Sequence, residues 1–118
     1  MLARKMGWPF IPEIHLFHDK EKCRRFMLDR LGESPEFIDN AGAQTWCDNN
    51  VAVVFMDYSS DDRAVDYGLL VHEACHVVQM QCDFICEENP GDEYIAYCTQ
   101  VVSQALFIAH DKWMRKHR

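Results

Sequence analysis

From Asp62 to Phe84 the chain offers about six turns of helix without a proline. Apolar residues fall on nearly every side of it. At 100° per residue, Val65, Leu69 and Met80 lie near His72. Leu70, Ala74 and Val77 lie opposite, and Val71, Cys75, Val78 and Cys82 make a third side. A helix that is apolar nearly all round is expected at the centre of a fold, so the other elements must be arranged around this one. Its one polar stripe is His72, Glu73, His76, Gln79 and Asp83. Polar groups in a core are costly without partners, which makes this stripe the place to look for chemistry.

The flanking segments suggest what packs on it. Ser59 or Ser60 is expected to cap the helix, with Asp61 and Asp62 favourable in its first turn. Upstream, Ala43 to Asp48 and Val51 to Asp57 read as two strands joined at Asn49-Asn50, because asparagine tolerates the positive φ of a two-residue hairpin turn. Val51-Ala-Val-Val-Phe-Met56 is wholly apolar, so that strand should be covered on both faces or lie close to a helix. Ile14 to His18 reads as the first strand, and Asp19 caps a helix from Lys20 to Leu31 that stops at Gly32. Glu33 to Gly42 reads as loop. Downstream, Asn89 is an expected N-cap with Pro90 after it, opening a helix from Gly91 to Arg115. The predicted fold is α+β, one domain over 1–118. About three strands form a small antiparallel or mixed sheet, packed on the central helix and a long C-terminal helix.

Charge and cysteine content narrow the function classes. The net charge is −7, which disfavours non-specific nucleic-acid binding. Ten acidic residues and one basic residue, Arg63, lie between Asp57 and Glu93, while the cations gather from Arg4 to Arg30 and from Lys112 to Arg118. An acidic centre lowers the electrostatic cost of holding a divalent cation. No apolar run is long enough to span a membrane, and the N-terminus reads as mature sequence rather than a signal peptide. The six cysteines include no C-x-x-C pair and are expected to be free, buried thiols in a reducing cytoplasm. His15 and His18 flank a strand and read as surface or satisfied core histidines.

His72-Glu73-Ala74-Cys75-His76 carries the sharpest chemistry. Four residues advance a helix by about 40°, so both imidazoles leave one face a turn apart and can share one zinc ion. Glu73 points to the side, close enough to hold a water at the metal. A catalytic zinc site needs a third protein ligand and an open fourth position. The downstream candidates are Asp83, Glu87, Glu88, Asp92, Glu93 and His110. Asp83 is about two turns beyond His76, roughly 10 Å along the axis, too far to share the ion. Periodicity does not choose among the others. Gln79 and Asp83 are candidates for outer contacts to the metal site or for helix-end contacts. Tyr97 is a candidate oxyanion donor or a core aromatic.

His72-Glu73-x-x-His76 followed by Glu93-x-x-Ala96 resembles the gluzincin branch of zinc metallopeptidases. The longer pattern His-Glu-Ala-x-His-x-x-Gln followed by Glu-x-x-Ala-Tyr resembles small proteins of this motif encoded by tailed phages. The resemblance covers roughly Val53 to Gln104. It implies a minimal zincin-like core in which His72, His76 and Glu93 bind zinc and Glu73 is the general base. The implied activity is peptide hydrolysis on a peptide or protein substrate. The alternative is a phage structural or assembly protein in which zinc is structural or vestigial and the partners are other phage structural proteins. Either role places the chain in the cytoplasm, of a host for a phage protein, or in the virion.

Overall fold

The computed structural model describes residues 1–5, 11–57, 59–84 and 91–117. The expected Asn89-Pro90 cap, the candidate ligands Glu87 and Glu88, and Cys86 lie outside the described residues. Two short strands come first, β1 (Leu2–Arg4) and β2 (Glu13–Phe17), then α1 (Lys20–Leu31), β3 (Ala43–Asp48), β4 (Val51–Met56), α2 (Arg63–Phe84) and α3 (Asp92–His117). The fold is α+β, with one strand more than the sequence suggested. Leu2–Arg4 is too short to carry a period of its own. It is held by pairing antiparallel with β2 and by a bond from Leu16 N–H to the Met1 carbonyl.

The sheet runs β1-β2-β4-β3. β2 and β4 are parallel, with Glu13 opposite Val51 and Phe17 opposite Phe55, while β3 and β4 form the antiparallel hairpin. Asn49 and Asn50 turn it with φ of 49° and 62°, the two positive values that a tight hairpin with right-twisted strands requires. β4 is buried along its whole length because successive side chains go to opposite faces and both faces are covered. Ala52, Val54 and Met56 join Leu70, Ala74 and Val77 of α2 and Val102 and Leu106 of α3. Val51, Val53 and Phe55 join Cys23 and Met27 of α1. The result is a sheet with α1 on one face and the pair α2 and α3 on the other.

Local signals hold where the side chain and the backbone agree. Asp19 caps α1 by accepting from Lys22 N–H at 2.9 Å, and Gly32 ends it at φ 71°. At α2 the cap moves from the serines to Asp62, whose Oδ1 accepts from Ala64 N–H at 2.9 Å. Ser60 Oγ is drawn back instead to accept from the Asp62 N–H at 2.8 Å.

The larger correction concerns burial of α2. Leu70, Ala74, Val77 and Val78 are buried, but Val65, Val71, His72 and Cys75 are exposed. α2 packs on α3 along one flank and on β3 along the other, and among the described residues that leaves its outward face open. It is an outer helix with an unusually apolar exposed side rather than a helix enclosed on all sides.

Candidate metal centre

The open side of α2 carries the motif. His72 and His76 are a turn apart, and their Nε2 atoms lie 3.2 Å from each other with the rings nearly perpendicular, at 82°. Two imidazole nitrogens at 2.0–2.1 Å on a tetrahedral ion are separated by about 3.3 Å, so the pair already has the spacing that zinc requires. His72 is exposed and His76 half-buried, so the pair opens to solvent. His72, Glu73 and His76 each offer a ligand atom within 4.8 Å of the others, the one such group among the described residues. Two imidazole nitrogens with a carboxylate beside them are a group that could hold a metal ion.

Glu73 differs from the histidines in being 3% exposed. The 100° step of the helix turns it towards β3, where Thr45 Oγ1 donates to its Oε1 at 2.8 Å. Its other oxygen, Oε2, stays 4.0 Å from His72 Nε2. The carboxylate therefore stands beside the metal position with one oxygen tied to the sheet and the other facing the histidines. Beside it, between α2 and the start of β3, is a hollow of about 460 Å³ walled by Ala43, Val65 and Leu69 and bounded by His72 and Glu73.

Among the described residues, the structure does not bring the other sequence candidates into this group. Glu93 is exposed in the first turn of α3, as is Asp92, and Tyr97, one turn on, is 48% exposed. α3 packs on the flank of α2 marked by Tyr67, which stacks on Phe107 and bonds to Asp111. The histidine pair faces the β3 flank instead. Gln79 and Asp83 are exposed.

His110 is engaged elsewhere. Its Nε2 is 3.0 Å from Asp66 Oδ2 and its Nδ1 is 2.9 Å from His18 Nε2, with Asp66 and His110 buried and His18 half-buried. Asp66 also accepts from Ser60 N–H at 2.7 Å and from the Ser59 hydroxyl. Sequence reasoning missed this network because its members are 92 residues apart at the extremes, and none of the three forms a local pattern with another. Burial, aided by the neighbouring His110, pushes the His18 imidazole down to about 3. His15 is likewise a satisfied core histidine, bonded to Glu13 at 2.6 Å and packed on Phe26.

The thiols divide. Cys23, Cys82 and Cys98 are buried, as expected of most of them, and Cys47 is half-buried. Burial raises the Cys23 and Cys47 thiols to about 12. Cys75, inside the motif, is exposed, because it points away from both flanking elements. No helix among the described residues is long and apolar enough to cross a membrane.

Comparison with protein-family models, with curated proteins and with solved structures finds no match for this chain.

Proposed function

We propose that this chain is a zinc-dependent hydrolase of the gluzincin kind that acts on peptide bonds in the cytoplasm. The observation that carries the proposal is the 3.2 Å spacing of the His72 and His76 Nε2 atoms on an open helix face, with the Glu73 carboxylate beside them. His72 and His76 would hold the ion. Zinc there supplies Lewis acidity towards a carbonyl oxygen. Glu73 Oε2 accepts the proton of the attacking water and delivers it to the leaving amine. Thr45 fixes the other oxygen, so the carboxylate keeps one orientation through both transfers. With Oε1 engaged, Glu73 serves as base rather than ligand. The third ligand then comes from outside the motif. Glu93 is our candidate on the resemblance to gluzincins, and Tyr97, one turn on, is the candidate donor to the carbonyl oxygen.

The second reading is a phage structural or assembly protein in which zinc is structural or vestigial, and one observation favours its structural part. The Thr45–Glu73 bond ties α2 to β3, so the carboxylate already has a structural use without catalysis. The deciding experiment screens the wild type and Glu73→Gln, at matched zinc content, against a broad peptide library. A general base contributes typically about 10²–10⁴-fold in rate, so cleavage by the wild type alone is the expected result. Cleavage by neither, with a full zinc load, leaves the structural role.

A further inference from the structure

Gly68 lies one turn before His72, inside the 22-residue helix α2. Glycine is a poor helix-interior residue, since it loses the most backbone freedom on folding and has no side chain to pack. The usual structural reasons for keeping one are missing here. Its backbone is helical, with no positive φ to accommodate. A Cβ built on it would meet no atom within 4 Å, so no neighbouring element requires the close approach. What Gly68 does border is the hollow of about 460 Å³ beside His72 and Glu73. Gly68 lines that hollow itself, so a long side chain at 68 would take up part of it.

We propose that Gly68 is a specificity-determining position, whose missing side chain keeps the hollow open for a compact, uncharged group of the substrate next to the reacting carbonyl. This rests on the metal-hydrolase reading. The class of group follows from the walls. Ala41, Gly42, Ala43, Val65 and Leu69 put no charged side chain on it, so a charged group gains no ion pair from these walls. Glu73 is already tied to Thr45, and His72 belongs to the metal pair. An aliphatic side chain gains from the same walls.

The test uses the full chain loaded with zinc and two hydroxamates as probes, acetohydroxamate and one bearing an isobutyl group beside the chelating carbonyl. Zinc stoichiometry is measured first. In the wild type the isobutyl probe should bind roughly tenfold or more tightly than acetohydroxamate, the scale of a few methylenes in an apolar pocket. Gly68→Ala should raise the Tm by about 2–5 °C, since alanine is the better helix former, and should leave the zinc load unchanged. Gly68→Leu should keep the zinc and the acetohydroxamate affinity but erase the preference for the isobutyl probe. A zinc-loaded wild type without that preference overturns the inference, as does a Gly68→Leu protein that retains it. A lower Tm in Gly68→Ala overturns it too, because glycine would then have a packing role. A wild type that takes up no zinc removes the metal reading itself, an outcome visible before any probe is added.

Discussion

Thr45 Oγ1 donates a 2.8 Å hydrogen bond to Glu73 Oε1, joining strand β3, at the end of the sheet order, to α2 at the carboxylate of the motif. The bond explains how a glutamate that is 3% exposed retains its place beside two solvent-facing histidines. Thr45→Val keeps the shape and removes the donor. A buried acceptor left unpaired costs about 1–3 kcal/mol, so the urea midpoint should drop accordingly, and Thr45→Ser should recover most of it. Zinc content should not change. Where hydrolysis is measured, kcat should fall while KM holds, because Thr45 orients the base without touching substrate. A Thr45→Val protein as stable as the wild type would show that the bond has no energetic weight.

The histidine pair makes a stoichiometric prediction. Purified protein should carry about one zinc per chain, since the motif offers a single tetrahedral position. His76→Ala removes one of the two nitrogens and should strip most of the metal, as read by elemental analysis. Full retention in that variant would separate the 3.2 Å contact from metal binding and leave it as a bond between two imidazoles.

Glu93 is the ligand for which resemblance and geometry give different weight. Catalytic zinc sites take three protein ligands, and Glu73 is engaged by Thr45, so a carboxylate from outside the motif is required by the proposal. Glu93→Gln should then weaken zinc at least about tenfold in a chelator competition, the scale of losing a charged ligand. Asp92→Asn should do much less, because neighbouring helix residues point about 100° apart. An affinity unaffected by Glu93→Gln would agree with its exposed place outside the His72–Glu73–His76 group and remove it from the ligand set.

How far the sequence could be read depends on whether a signal is local. Asp19, Gly32 and the Asn49-Asn50 turn each act on a backbone within a few residues, and each acts where expected. The unbroken apolar run of β4 also announced a strand covered on both faces. Helical periodicity brought His72 and His76 to one face. It could not say which neighbours would arrive. Val71 and Cys75 look like core on a helical wheel, yet they are exposed because, among the described residues, α2 has α3 on one flank and β3 on the other and its outward face is open. Leu2–Arg4 has no pattern of its own and depends on β2. Thr45 as the partner of Glu73, and His18 as the partner of His110, are products of tertiary packing that no spacing encodes.

The interior network formed by Asp66, His110 and His18 leads to the last prediction, which concerns stability rather than metal. It ties the end of β2 to α2 and α3, and Trp113 stacks on His18 at 3.9 Å. Burial, first of all, and the neighbouring His110 hold the His18 imidazole down to about 3, against an ordinary 6.5. The sign of the linkage follows. Between those two values the unfolded chain takes up a proton at His18 and the folded chain does not. The contribution is therefore fully present above pH 6.5 and is lost progressively as the pH falls towards about 3. His15, also lowered mainly by burial, acts in the same direction. The wild type should accordingly lose stability steadily below pH 6.5 in urea melts taken at successive pH values. His18→Gln keeps a donor for His110 Nδ1 but does not titrate. It should be the less stable protein at pH 7.5, where it loses the stack on Trp113, and its stability should fall less steeply below pH 6.5. Parallel pH profiles for the two proteins would mean that His18 is protonated alike in the folded and unfolded chains, and the network would then contribute contacts without pH dependence.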